Sequence, residues 1–185
     1  MVETIVEATW QVLAKEGYEA ANTNRIAERA GISVGSLYQY FPNKNAIVAA
    51  VQRRHHAEVA SAMATAFAET AGQPLEIGIR GLVHANMQAH LADPDLHRAL
   101  TAIVPAAVNP ETLGCIRDGI HAQLRAWLSR YRQQLIVKDL DTAAFVVQHL
   151  VEAVVHATVD GPGPTPEPKQ VEDEVAAMIL RYLTG

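Results

Sequence analysis

Apolar residues recur along this chain at spacings of three and four from one end to the other, and no stretch alternates polar with apolar in the manner of a strand. The pattern predicts an all-α protein of about nine helices. In the first, Ile5, Ala8, Thr9, Val12 and Leu13 lie at i, i+3, i+4, i+7 and i+8, and Gly17 is placed to end it. A shorter second helix is expected from about Asn24 to Ala30, with Thr23 as N-cap and Gly31 as breaker. A third starts after Ser33, another good cap, and ends before Pro42. Asn43 or Lys44 then opens a long fourth helix, because no glycine or proline interrupts the chain until Gly72 and Pro74. Breakers divide the rest into helices over about 74–92, 94–103, 110–134, 141–159 and 167–183. Residues 160–168, with four prolines and two glycines, read as a linker.

The last two of these helices carry more apolar surface than one small domain covers. Val146, Leu150, Ala153, Val154 and Ala157 form one face of the eighth, while Val147, Val151 and Val155 add a second. In the ninth, Val171, Val175, Met178, Ile179 and Tyr182 form a stripe that Ala176, Leu180 and Leu183 widen. A two-fold subunit interface, a homodimer through about 141–159 and 167–183, would cover the excess. Two central core helices would look the same in sequence.

Composition bounds the class of protein more than its function. With 185 residues and 49% apolar content the chain can bury a substantial core. Its longest unbroken apolar stretches, such as Ala143 to Val147 and Ala176 to Leu180, fall far short of the roughly 20 residues that cross a bilayer. The first twenty residues carry Glu3, Glu7, Glu16 and Glu19 against Lys15, unlike a signal peptide, so no membrane association and a cytoplasmic location are expected. The single cysteine, Cys115, has no partner for a disulfide and no metal-ligand spacing, and reads as a small buried hydrophobe. A net charge of −5 argues against indiscriminate nucleic-acid binding. Between Thr23 and Arg54, however, Arg25, Arg29, Lys44, Arg53 and Arg54 face Glu28 alone, which is +4 and leaves −9 for the remainder. A basic patch on an acidic body suits a protein that touches DNA with one face; a solvated helix with uneven charge would look similar.

The segment from Thr23 to Tyr40 meets the demands of two short helices packed at a steep angle. Ala27 is small where they touch, Gly31 tolerates the turn, and Ile26, Ala30, Ile32, Leu37 and Tyr40 supply inward apolar positions. This is the general helix-turn-helix pattern. The run from Arg25 through Ile-Ala-Glu-Arg-Ala-Gly-Ile-Ser-Val-Gly-Ser-Leu-Tyr-Gln-Tyr-Phe-Pro-Asn to Lys44 closely resembles the DNA-binding segment of the TetR/AcrR family of regulators, and Ala8 and Gly17-Tyr18 agree with it. The resemblance is strong over about Ile5 to Val51 and architectural beyond. It implies a dimeric all-α repressor, or less often an activator, with a DNA-binding domain at 1–45 and a ligand-binding and dimerisation domain at 46–185. Its partners would be double-stranded operator DNA and a small, largely apolar effector, with no cofactor or metal.

On that resemblance the third helix enters the major groove with Val34, Gly35 and Ser36 nearest the base edges. Gln39 is the main candidate for reading adenine, Tyr38 matches a tyrosine that meets phosphate, and Tyr40 stands where many members carry histidine. Thr23 and Arg25 would contact the backbone on the other side of the groove. Two residues break local helix rules in ways that nearby DNA would relieve. Glycine inside a helix costs about 1 kcal/mol against alanine, which makes Gly35 an oddity. A cation at a helix N-terminus opposes the macrodipole, which makes Lys44 another.

Met63, Phe67, Met87, Leu91, Leu100, Ile103, Trp127, Tyr131, Phe145 and the more polar His149 are candidates to line an effector pocket, although residues of these types are more often ordinary core than ligand contacts. The eight histidines are poorly spaced for a metal: His149 and His156 share a face two turns apart, and His84 and His90 are no better placed. No Gly-rich phosphate loop, nucleophile elbow or HExxH pattern occurs, so an enzyme is disfavoured. A helix-turn-helix used only for protein contact would carry an acidic or apolar third helix rather than one bearing Gly, Ser, Tyr and Gln.

Overall fold

The computed structural model describes residues 1–102, 110–160 and 166–185, and within these the side chains of all but residues 102, 110–113, 115 and 116. Among the described residues there are nine α-helices and no strands: α1 (Val2–Ala20), α2 (Thr23–Ala30), α3 (Val34–Tyr40), α4 (Lys44–Glu69), α5 (Leu75–Leu91), α6 (Pro94–Ala102), α7 (Pro110–Ser129), α8 (Leu140–Asp160) and α9 (Pro168–Thr184). The side chains of Cys115 and Ile103, and most of the linker expected over 160–168, lie outside the described residues.

The chain divides into two compact units. The first is Met1–Ala57 together with Asp93–Gly114, and the second is Glu58–Ala92 together with Cys115–Gly185. The first unit, the head, therefore includes α4 as far as Ala57 and the whole of α6, neither of which a division at residue 45 anticipates.

In the head, the expected α1 stripe of Ile5, Ala8, Thr9, Val12 and Leu13 is buried. Gly17, at φ 79°, breaks the helix where the sequence placed its end, and a further turn reaches Ala20. Ile26, Ala27, Leu37, Phe41, Ile47, Val48 and Val51 complete the core with Leu96 and Leu100 from α6. α6 is pinned at its start. The Asp93 carboxylate accepts from the Leu96 N–H at 3.0 Å, capping the helix, and from the Trp10 indole of α1 at 2.6 Å.

Two details differ from the sequence expectation. The N-cap of α2 is Asn22, not Thr23: its backbone is extended and its side chain accepts from the Arg25 N–H at 3.0 Å, while Thr23 already has helical conformation. Tyr40 is not a core residue. It is 46% exposed, and Phe41, one position on, turns inward because α3 ends there in extended backbone.

In the second unit, α5, α8 and α9 pack together around Ile79, Leu82, Val83, Met87, Val147, Val151, Val155, Val175 and Ile179. α7 stops at Ser129 rather than running to Gln134, and a 3₁₀ turn follows at Arg132–Gln134. Tyr131 lies just beyond that end: its hydroxyl donates to the Gln73 carbonyl at 2.8 Å and its ring packs on Trp127 at a tilt of 46° with centroids 4.6 Å apart. Trp127 is buried against Gly78, where a Cβ would lie 2.3 Å from the indole. By length and composition α8 could cross a bilayer, which a count of unbroken apolar residues does not register. Its stripe of Ala143, Ala144, Val147, Val151, Val155 and Val159 is buried, as in a core helix.

Candidate nucleic-acid interface and apolar cavity

The α2–α3 turn is built by a Schellman motif. Gly31, at φ 69°, donates to the Glu28 carbonyl at 3.1 Å, and Ile32 donates to the Ala27 carbonyl at 3.0 Å. Ser33 then caps α3 by accepting from the Ser36 N–H at 3.0 Å. With Leu37 buried on one side, α3 presents Gly35, Tyr38, Gln39 and Tyr40 to solvent, while Val34 and Ser36 are half-buried and Val34 packs on the head core. Thr23 and Tyr38, on different helices, meet through their hydroxyls at 3.3 Å. Gly35 has no internal reason to be glycine. Its φ is not positive, and a Cβ there would meet nothing closer than Ser33 Oγ at 3.8 Å, an ordinary contact.

The charges sit differently from their order in sequence. The Arg25 guanidinium bonds the Glu16 carboxylate at 2.7 to 3.1 Å and Glu28 at 2.9 Å, and these carboxylates, Glu16 foremost, raise its pKa. Arg54 pairs with Glu7 at 2.7 Å and lies over the Trp10 ring, and Arg29 binds the Gln11 side chain at 2.8 Å. The basic window is thus partly neutralised by acids of α1, which chain order hides. Lys44 is accounted for by the fold itself. Its ammonium donates to the Tyr18 carbonyl at 2.5 Å, near the negative end of α1, and sits 3.5 Å from the Tyr18 ring centroid. Desolvation there lowers its pKa. Its place at the start of α4 therefore carries no argument for DNA.

A small cavity of about 50 Å³ lies in the second unit, lined by Met63, Phe67, Ile79, Leu82, Val83, Asn86, Ile120, Leu124, Val147, Gln148, Val151 and Ile179. Of the residues singled out from sequence, Met63 and Phe67 reach it. Met87, Trp127 and Tyr131 are buried in the core of the same unit, Leu91 is half-buried, Leu100 belongs instead to the core of the first unit, and Ile103 lies outside the described residues. Phe145 is 55% exposed and does not line it, and His149 stacks on Phe145 with centroids 4.0 Å apart. Asn86 and Gln148 were missed. The signal was present as uncharged polar residues set among apolar neighbours in α5 and α8.

Two family models match the chain, one for bacterial regulatory proteins of the tetR family over residues 5–51 and one for the tetracycline-repressor-like C-terminal domain over residues 74–183. The chain belongs to the tetR family. It is a family of transcriptional regulators, not of enzymes. The transcriptional repressor KstR of Mycolicibacterium smegmatis is 50% identical over 40 residues, 22% of this chain and 20% of that protein. The KstR of Rhodococcus jostii is 46% identical over 50 residues, 26% of this chain and 24% of that protein. The matched segment thus spans only a fifth to a quarter of these curated relatives. Among solved structures, the fatty acid degradation regulator FadR of Bacillus halodurans is similar with a TM-score of 0.74 at 20% identity, covering 97% of this chain and 94% of that one. The regulator PfmR of Thermus thermophilus is similar with a TM-score of 0.72 at 21% identity, covering 98% and 99%. The tetR-family fold thus extends over nearly the whole chain, while the stretches of close sequence identity to these curated relatives are only 40 to 50 residues long.

Proposed function

We propose that this regulator binds operator DNA as a homodimer, placing α3 in the major groove, and is released by a small, largely apolar effector taken up in the second unit. The observation that carries the DNA reading is the exposed face of α3: Gly35, Tyr38, Gln39 and Tyr40 point outward while Leu37 and Phe41 anchor the helix. Gly35 leaves room for backbone and DNA to approach, Gln39 reads a base, and the Thr23–Tyr38 hydroxyl pair meets phosphate. Val34 and Ser36 flank the contact at the helix start, and Tyr40 offers its hydroxyl at the far end. Arg25 joins only when it leaves Glu16, and Lys44 only when it leaves Tyr18.

The dimer reading is supported by what a single chain leaves uncovered on α8 and α9. Phe145, Val146, Ala153 and Ala157 are exposed on one, and Met178, at 50%, and Tyr182 on the other. Repression rather than activation follows the role of KstR, a transcriptional repressor to which 40 residues of this chain are 50% identical. Effector control would run through α4, one helix whose Ile47, Val48 and Val51 belong to the head core while its Met63 and Phe67 line the cavity. An effector weakens operator binding only through its preference for the state that does not fit DNA. The decisive experiment selects duplexes from a random pool with the purified full chain and measures their retardation against salt. Binding that falls steeply with added salt supports the reading, and no retained duplex at low salt overturns it.

A further inference from the structure

Two polar atoms in the second unit's cavity are unsatisfied. The side-chain oxygens of Asn86 and Gln148 are buried and accept no hydrogen bond among the described residues. The Asn86 amide nitrogen meets the Met63 sulfur at 3.7 Å, a weak acceptor, and that of Gln148 reaches the Arg117 carbonyl at 3.3 Å. Every other described lining residue is aliphatic, aromatic or Met63, and none is charged. A buried amide left without a partner is costly, and a carboxamide can offer either a donor or an acceptor to whatever enters. A carboxylate or phosphate drawn into the same space would lose its water with no cation to replace it.

We propose that the cavity is selective for uncharged effectors: an apolar body carrying a hydroxyl or comparable neutral group that hydrogen-bonds Asn86 and Gln148, with anionic compounds of the same length refused. This rests on the reading of the cavity as the effector site. At about 50 Å³ the cavity is well below the roughly 300 Å³ at which ligand pockets begin, so entry requires the lining to move apart. Met63 and Phe67, near the end of α4, form part of that lining.

The test titrates the full chain at pH 8 with 1-octanol and with sodium octanoate, in the wild type and in Asn86→Leu, Gln148→Leu and Leu82→Trp, each checked for helical content. Octanol is expected to bind at least about tenfold tighter than octanoate, and each leucine variant to lose about tenfold for octanol, the equivalent of one hydrogen bond. Leu82→Trp should abolish binding. Octanoate binding as tightly as octanol, or unchanged octanol binding in both leucine variants while Leu82→Trp abolishes it, overturns the polar selectivity and leaves the site standing. Octanol binding undiminished in Leu82→Trp, or binding of neither probe to the wild type, overturns the effector site and the selectivity with it. Should a leucine variant fail to fold, the wild-type ratio of the two probes decides.

Discussion

Gly35 in α3 and Gly78 in α5 are both glycines inside helices, where each costs about 1 kcal/mol relative to alanine, and their surroundings are opposite. A Cβ at Gly78 would lie 2.3 Å from one carbon of Trp127 and 2.8 Å from another, so the packing of the second unit requires its absence. A Cβ at Gly35 would meet open space and Ser33 Oγ at 3.8 Å, so nothing in the chain requires its absence. An internal reason marks a glycine as part of the core. The lack of one, on the exposed helix proposed to meet DNA, directs attention to whatever approaches from outside.

Substitution separates the two cases. Gly78→Ala should cost about 3 kcal/mol of stability in urea unfolding, because the buried indole would have to shift, and adding Trp127→Phe should recover part of that loss. Gly35→Ala should do the reverse: stability rises by about 0.5–1 kcal/mol while affinity for the selected duplex falls about tenfold or more, measured by fluorescence anisotropy. A Gly35→Ala protein that binds DNA as well as the wild type breaks the comparison. Glu16→Gln sharpens it from the electrostatic side. Loosening Arg25, which then keeps only Glu28 as a carboxylate partner, should strengthen DNA binding severalfold and steepen the dependence of log K on log salt by at most about 0.9 for the added phosphate contact.

The smallest effect lies in the second unit. Burial lowers the pKa of His90; nearby His156 acts in the same direction, while the Asn86 carbonyl, Glu152 and Asp160 oppose it. The folded protein binds that proton less readily than the unfolded chain, whose imidazole titrates near 6.5. Stability should therefore be intact above about pH 6.5 and decline as the pH falls below it, and His90→Asn should flatten that decline in chemical denaturation at pH 7.5 and 5.5.

Much of the fold was legible because helix periodicity and its punctuation are local. Ile5 to Leu13, the Gly31 turn and the Ser33 cap needed only near neighbours to be read. Nearest-neighbour reading also has a resolution of one residue, which is why the cap of α2 slipped from Asn22 to Thr23 and the inward aromatic from Phe41 to Tyr40. What was not legible depends on residues distant in the chain. Glu7 and Glu16 neutralise part of the basic window from α1, and the Tyr18 carbonyl explains Lys44. The cavity gathers side chains from α4, α5, α7, α8 and α9, so aromatic content pointed to Trp127 and Tyr131, whose rings pack on each other, with Trp127 against Gly78 and the Tyr131 hydroxyl on the Gln73 carbonyl.

The membership of α6 in the head has a consequence for modular exchange. Leu96 and Leu100 fill the same core as Ile26 and Leu37, and Asp93 ties α6 to Trp10, so the DNA-binding unit is discontinuous in the chain. A chimera that grafts residues 1–57 alone onto a foreign sensor would carry an open seam where α6 belongs. Recombination within this architecture is therefore constrained to exchanges that bring a compatible α6 along.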